Sequence, residues 1–254
     1  MSQARVEGIR RLLMGIQTGD PQAVSVISPT QYIQHNPQTH TGREGLAALF
    51  RRLAKTNPRV NLVRMFWDGD HVFGHTEYDF STRRVGFEVF RFEGAHTVEH
   101  WDNIQPRQGP NSSGHSMVDG PTEARDLQLT ESNRQLVRAF VQQVRIGGDL
   151  DQLDRFISPT QYTEHHPTGR DGRVALAALL AEGSDGEHTI QYKWLHRVLA
   201  QGDFVLTVCE GDRGGQHTAF YDLHRVAGGR VPQRRPHHAV LDRSGPARQG
   251  VDHP

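Results

Sequence analysis

The sequence predicts an α+β fold built from two tandem copies of one domain. The segment Ile27–Pro37, ISPTQYIQHNP, recurs as ISPTQYTEHHP at Ile157–Pro167, 130 positions later (157 − 27 = 130). A period of this length indicates a duplicated domain, because the units of solenoid proteins repeat every ~20–50 residues. In each copy the apolar residues first recur at helical spacing and then fall in strand-length runs, the order of an α+β domain.

The first copy is predicted to begin with three helices. Val6–Thr18 carries its apolar residues on one stripe, a short helix at Gln22–Ile27 precedes the repeated segment, and a third helix covers Gly42–Lys55. Asp-Gly and Glu-Gly pairs between the following apolar runs are hairpin signals. The predicted strands of this antiparallel meander are Arg59–Trp67, His71–Phe80, Gly86–Phe92 and Thr97–Gln105.

The second copy is predicted to repeat this order after a linker. Pro106–Pro121 is rich in Pro, Gly, Ser and Asn and has no apolar period, which is typical of a linker. The predicted boundaries are residues 1–107 for the first domain, 108–128 for the linker, 129–231 for the second domain and 232–254 for a tail. Strands of the second domain are predicted at Thr189–Leu199, Phe204–Glu210 and His217–Val226.

The last strand of the second copy is predicted to be absent. Where the first copy has Thr97–Asp102, the second has Val231–Pro236, a segment with two prolines. Proline removes a hydrogen-bond donor from a strand ladder, so the segment argues against a central strand. We expect residues 232–254 to be divergent and disordered, and the hypothesis that follows is that a reading-frame change replaced the original end of this domain.

Composition and charge exclude several classes of function. Lys plus Arg number 29 and Asp plus Glu number 29, so no net field favours nucleic acid or an acidic membrane as partner. Cys209 is the single cysteine, and the sequence has no phosphate-binding loop, dinucleotide glycine pattern or zinc-ligand spacing, so no cofactor is expected. No apolar run reaches the ~18–20 residues that span a bilayer, and the N-terminus lacks a cleavable signal. A soluble cytoplasmic protein is the expectation.

Two motifs in a fixed order resemble a known family. The first is the segment from Tyr32 to Pro37, followed by Gly42–Gly45, and the second is Phe90–Phe92 together with Val98–Pro106, VEHWDNIQP. The second copy retains Tyr162–Pro167 and Tyr221–Arg225. In this combination the chain resembles the SnoaL-like polyketide cyclases of the nuclear-transport-factor-2-like superfamily, twice in tandem.

This resemblance implies a cone-shaped α+β barrel around one deep pocket. Members of the family include cyclases that close polyketide rings by aldol condensation, isomerases, dehydratases and hydrolases, and many associate as dimers through their sheets. A tandem pair is therefore expected to pack as a pseudo-dimer, with homo-oligomers as a further arrangement. The implied partner is a small apolar or aromatic substrate. Fold alone does not fix function.

Asp102 is the predicted catalytic base. The resemblance places the acidic residue of the last strand at the catalytic position of the cyclases. Alternate residues of a strand share a face, so His100 and Asp102 are expected side by side, with His100 tuning the carboxylate. Burial on an apolar face raises the pKa of an aspartate, as a base for this chemistry requires. The alternative is a solvated rim that plays no part in chemistry.

The other predicted site residues surround this pair. His35 or His75 is expected to polarise a substrate carbonyl, and a structural role for His35 in its loop is the alternative. His75 also shares strand parity with Glu77, which leaves metal binding as a minority interpretation, and no metal is predicted. The expected substrate-binding residues are Tyr32, Phe73, Glu88 and Trp101.

Two functions follow for this set. The leading prediction is a small-molecule lyase or isomerase that uses acid/base residues of the first domain. The second domain, which lacks the Glu-His-Trp-Asp sequence, is expected to be catalytically impaired and to serve as a packing partner. A non-catalytic small-molecule-binding or interaction protein is the alternative.

Overall fold

The computed structural model describes residues 2–36, 42–182 and 190–240, and within them the fold is α+β, as predicted. Two five-stranded sheets each pack against their own helices. The helices are α1 (Ser2–Thr18), α2 (Gly42–Ala54), α3 (Thr130–Phe140, continued by a π-helical turn at Val141–Ile146), α4 (Leu153–Phe156) and α5 (Arg173–Glu182). The strands are β1 (Ile33–Gln34), β2 (Arg59–Asp68), β3 (His71–Asp79), β4 (Arg83–Glu93), β5 (His96–Pro106), β6 (Thr163–Glu164), β7 (Ile190–Gln201), β8 (Phe204–Arg213), β9 (Gln216–Ala227) and β10 (Arg230–Val240).

The first domain places its helices on one face of the sheet β1-β5-β4-β3-β2. The apolar stripe of α1 is buried, and the helix ends at Gly19, whose φ of +68° is the left-handed conformation that favours glycine. Short 3-10 turns at Pro21–Val26 stand where a second helix was predicted. The strands from β2 to β5 form the predicted antiparallel meander, and two-residue β1 pairs parallel to β5. This parallel pair brings the repeated segment against the last strand.

The prediction that the second copy lacks its last strand is wrong. β10 pairs antiparallel with β9 and completes a sheet of order β6-β10-β9-β8-β7. The carbonyl of Arg234 accepts a hydrogen bond from the His165 amide on the β6 side, so the nitrogen of Pro236, two residues on, faces away from β9. Proline there removes no ladder bond, and Pro232 lies in the irregular step before Gln233. Residues 241–254 of the predicted tail lie outside the described residues, as does Pro37.

The two sheets pack face to face, which confirms the predicted pseudo-dimer. One buried apolar cluster contains side chains of both sheets, and Asp68 accepts two hydrogen bonds from Arg134 across the interface. Each sheet therefore has one face toward its own helices, here called the inner face, and one toward the other domain, here called the interface face. The cluster consists of Phe66, Phe73, Phe87, Val89, Leu199, Phe204, Leu206, Tyr221 and Leu223.

The segment between the domains is packed against them. It contains no helix or strand from residue 107 to residue 126, in keeping with the linker prediction, whose boundaries remain a prediction. Met117 is buried, and the Arg64 guanidinium donates to the carbonyl oxygens of Val118, Asp119 and Pro121. Among the described residues no helix is long and apolar enough to cross a membrane.

Candidate acid-base site of the first domain

Three titratable side chains converge on the inner face of the first sheet. His100 and Asp102 share this face of β5, and Glu88 of β4 lies directly opposite Asp102 in the strand register. One ring nitrogen of His100 and one carboxylate oxygen from each of Glu88 and Asp102 lie within 4.8 Å of one another. Glu88 and His100 are buried, and Asp102 retains partial exposure. The predicted sharing of one face by His100 and Asp102 therefore places both beside a second carboxylate.

A chain of hydrogen bonds fixes the orientation of His100. The backbone amide of Asn36 donates to Oε1 of Gln34 (3.0 Å), which assigns the Gln34 side-chain nitrogen as the donor to Nδ1 of His100 (2.9 Å). Nε2 of His100 therefore carries the proton and donates to Glu88 Oε2 (2.8 Å). The Tyr78 hydroxyl donates to Glu88 Oε1 (2.7 Å). Both Glu88 oxygens are engaged within the protein.

Asp102 is the member of this set with a clear shift in acidity. The pKa of Asp102 is raised from 3.8 to about 6, by burial first and by the negative charge of Glu88 second, while His100 and a hydrogen bond from Asn36 oppose the rise. Nδ2 of Asn36 lies 3.0 and 2.8 Å from the two Asp102 oxygens. A carboxylate with a pKa of about 6 is mostly ionised at pH 7 and is a stronger base than an ordinary aspartate.

Tyr32 lies within the electrostatic field of this site. Burial raises the pKa of the Tyr32 hydroxyl far above its usual range, and the charges of Glu88 and Asp102 add to that rise. The phenol therefore keeps its proton at all physiological pH values and remains a hydrogen-bond donor. Of the predicted substrate-binding residues, Glu88 belongs to the site itself, and Tyr32 lies close enough for the Glu88 and Asp102 charges to act on it.

The other predicted residues lie on the interface face. His35 stacks on Trp101 with ring centroids 4.9 Å apart, and its Nε2 lies 2.9 Å from Glu99 Oε1. His75 is fully buried, contacts the edge of Phe87 and is bonded to Arg64, and Phe73 belongs to the interdomain cluster. The structure does not bring His35, His75, Phe73 or Trp101 to Asp102.

Sequence reasoning missed Gln34 and Asn36, the two residues that orient His100 and Asp102. Both come from the repeated segment, at two of its positions that differ between the copies: Glu164 and His166 replace them in the second. The partner on the last strand changes as well, because β6 and β10 pair Glu164 with Arg234 where β1 and β5 pair Gln34 with His100. The replacement of Gln34 and His100 by Glu164 and Arg234 in the second copy was the feature of the sequence that could have identified these positions as paired.

The corresponding site of the second domain holds a buried ion cluster. Pro236 lies opposite Asp222 in the register that places Asp102 opposite Glu88. Arg234 donates to Glu164 Oε2 through Nε and Nη2 (3.2 and 3.1 Å), and its Nη1 lies 3.9 Å from Asp222. All three charged residues are at most 2% exposed. No carboxylate stands at the position of Asp102.

Glu88, His100 and Asp102 are numerous enough to bind a divalent cation, but the hydrogen bonds of His100 do not suit metal binding. A histidine binds a metal through an unprotonated ring nitrogen. Nδ1 of His100 already accepts a hydrogen bond from Gln34, and the protonated Nε2 donates a hydrogen bond to Glu88. Cation binding would have to break one of these buried hydrogen bonds, and the other ring nitrogen is already engaged, so the arrangement fits acid-base chemistry better.

Solved structures similar to part of this chain include members of the predicted group of folds. A putative polyketide cyclase from Bacillus cereus is 14% identical, with 40% of this chain and 74% of that chain covered and a TM-score of 0.36. An ntf2-like protein of unknown function from Mesorhizobium loti is 23% identical (41% and 93% covered, TM-score 0.36). A putative ketosteroid isomerase from Kribbella flavida is 16% identical (50% and 91% covered, TM-score 0.38).

No family model and no curated protein matches the sequence. Each of these solved structures covers half of this chain or less. Because their TM-scores lie below 0.5, the fold assignment rests on the two helix-backed sheets themselves.

Proposed function

We propose that the first domain is a small-molecule lyase or isomerase in which Asp102 removes a proton beside a substrate carbonyl. The observation that carries this proposal is the position of Asp102 on the inner face, beside Glu88 and His100, with a pKa of about 6. Proton transfer is most efficient when the pKa of the catalytic group lies near the working pH. An aspartate with its ordinary pKa is a much weaker base.

Each residue of the site has a distinct role in this reaction. Asp102 takes the proton from the carbon, and the electron pair moves to the carbonyl oxygen, where the Tyr32 hydroxyl donates to the enolate. The enolate carbon then attacks a second carbonyl, whose oxygen takes the proton back from the Asp102 carboxylic acid, or the enolate is reprotonated by that acid at another position. Glu88 and His100 are positioning residues, because the Glu88 charge keeps the Asp102 pKa raised and His100 holds Glu88 in place.

The second domain takes the role of a packing partner in this proposal. Pro236 at the position of Asp102 offers no base, and the Glu164–Arg234–Asp222 cluster occupies the matching place beside it. The carboxylates of this cluster are engaged by Arg234 and by the hydroxyls of Tyr162 and Tyr192, which donate to Glu164 and Asp222. Turnover by the chain is therefore assigned to one of its two domains.

One observation favours a non-catalytic small-molecule-binding protein as the alternative. Both oxygens of Asp102 already lie within hydrogen-bond distance of Asn36, as they would for a carboxylate that only holds a loop in place. In that case the inner face binds a ligand without acting on it. The two functions differ in the effect of Asp102 on turnover.

The pH dependence of turnover tests the proposal. Aromatic ketones and polyketide-like compounds are first screened by calorimetry for binding, and conversion of each bound compound is followed by chromatography from pH 4 to pH 8. We expect turnover to rise with a midpoint near pH 6 and to be lost in Asp102→Asn with the ligand affinity retained. Equal turnover in Asp102→Asn and in the linker control Asp126→Asn would remove Asp102 from the mechanism.

A further inference from the structure

The linker segment and the repeated segment of the second domain bring together a second set of titratable side chains. His115 and Asp119 come from the linker segment, and His165 is the histidine of the repeat. One donor atom from each lies within 4.8 Å of the others. We propose that these three residues bind a divalent cation, with Zn²⁺ as the best match, and that the cation fastens the linker segment to the second domain. This inference is independent of the proposed function.

The distances within the set are close to those of a tetrahedral site. Nδ1 of His115 lies 3.6 Å from Asp119 Oδ2, and Nδ1 of His165 lies 2.8 Å from Asp119 Oδ1. Zinc bonds of 2.0–2.1 Å place two tetrahedral ligands about 3.3 Å apart. One candidate ligand atom from each of the three residues lies within 4.8 Å of the others, so shifts of at most about 1.5 Å (4.8 − 3.3) would give a coordination shell of two imidazoles and one carboxylate, with a fourth position open to water.

A second carboxylate orients His115. Its Nε2 lies 3.0 Å from Asp171 Oδ2, which directs Nδ1 toward Asp119. Metal-binding histidines donate their second ring N–H to a carboxylate or carbonyl in this way. Asp171 is itself held, because Oδ1 accepts from the Glu164 amide and its own amide donates to Ser113 Oγ.

One oxygen of the shared carboxylate accepts no hydrogen bond. Asp119 Oδ1 is buried, and within the described residues no group donates a hydrogen bond to it, although His165 Nδ1 lies 2.8 Å away. A buried polar atom without a hydrogen bond is costly, and a bound ion is one of the explanations for it.

The protonation states suit a cation. Nδ1 of His165 donates to the Ser116 carbonyl (2.8 Å), so Nε2 is unprotonated in the neutral ring. When the cation binds Nδ1, the hydrogen bond to Ser116 breaks and the proton moves to Nε2, so no net proton is released. Arg64 and Arg235 both donate to the Asp119 carbonyl oxygen (3.0 and 2.7 Å), and the negative charge of the Asp119 side chain acts on both guanidinium groups.

The linker turn is already held in position for binding. Asn111 donates to the Glu164 carbonyl through Nδ2 (2.6 Å), and its Oδ1 accepts from the His115 amide (3.1 Å). Ser116 Oγ accepts from the Asp119 amide (3.1 Å). Because these bonds fix the backbone before a cation arrives, binding needs little further ordering of the chain.

Zinc titration of the whole chain, without an affinity tag and after dialysis against a chelator, tests the site. We expect one equivalent of Zn²⁺ to bind by calorimetry and to raise the unfolding temperature. His115→Ala and Asp119→Asn should raise the Kd at least tenfold, and Asp171→Asn by about ten- to hundredfold. Cobalt substitution should give the visible absorption of four-coordinate Co²⁺ in the unaltered chain and lose it in His115→Ala.

The control is His96→Ala, which removes an exposed histidine at the start of β5. It should bind Zn²⁺ like the unaltered chain. His115 is partly exposed, so His115→Ala is expected to fold, and circular dichroism of each variant checks this. Absence of binding by the unaltered chain, or equal affinity of His115→Ala and His96→Ala, would overturn the proposal.

Discussion

Replacing Asp102 by asparagine should stabilise the protein at neutral pH. The pKa of this carboxyl is raised to about 6 because its charged form is partly buried beside Glu88. Ionised Asp102 is therefore a cost to the folded state, which asparagine, neutral and of the same shape, does not carry. Groups held for chemistry commonly lower stability in this way.

The size and sign of the effect follow from the linkage between proton binding and folding. A folded-state pKa of about 6 against an ordinary 3.8 is a difference of about two units, or about 3 kcal/mol in the free energy of unfolding. Between these two values the folded state binds more protons than the unfolded state, so this contribution falls as pH rises. We expect Asp102→Asn to match the unaltered chain near pH 4 and to exceed it by about 2–3 kcal/mol above pH 7.

Urea unfolding followed by tryptophan fluorescence from pH 4 to pH 8 measures this difference. Glu99, Glu131 and Glu210, whose pKa values are lowered by their partners, are present in both proteins and cancel in the comparison. Asp126→Asn, an exposed replacement in the linker, should show no gap that grows with pH. A gap for Asp102→Asn that is the same at pH 4 and pH 7 would refute the raised pKa.

Further predictions concern the neighbours of this site and its counterpart. In urea unfolding, Arg234→Met should lower the free energy of unfolding by about 3–5 kcal/mol, because two buried carboxylates lose their partner. The control Arg230→Met, at a half-exposed arginine, should lower it by less than about 1 kcal/mol. Equal losses of stability in the two variants would contradict the buried cluster. Glu88→Gln should move the pH midpoint of turnover to lower pH, since the Glu88 charge raises the pKa of Asp102; an unmoved midpoint argues against that coupling. His35→Ala should leave turnover within about twofold, because this ring lies on the interface face; a hundredfold loss would return it to the site.

Periodicity and the repeat were sufficient to predict the main helices and the long strands other than β10. They were not sufficient for β1 and β6, since two residues are too few to show alternation. These short strands bring Gln34 and Asn36 to the last strand, so their loss from the prediction removed two residues of the site. The prolines of β10 led to the wrong prediction that this strand is absent. Their effect depends on which side of the strand the missing N–H faces, and the sequence alone does not show that side.

The site prediction was sound along one strand and weaker between strands. Alternation correctly placed His100 with Asp102. Whether a strand residue shares the face of Asp102 depends on strand pairing: His75 lies opposite Phe87, and Phe87 lies opposite Asn103, whose side chain is on the other face from Asp102. His75 and Phe73 were therefore assigned to the wrong side of the sheet. His35 lies in a segment without a period, where alternation says nothing.

Exchange of substrate protons with solvent tests the central claim most directly. Ketones that bind the chain are incubated in D₂O at pH 7, and deuterium uptake beside the carbonyl is followed by NMR. The proposal predicts that uptake is accelerated by the unaltered chain and by Asp126→Asn, and that Asp102→Asn slows it by about 10²–10⁴-fold, the usual contribution of a general base. Equal uptake in all three proteins would contradict a catalytic role for Asp102.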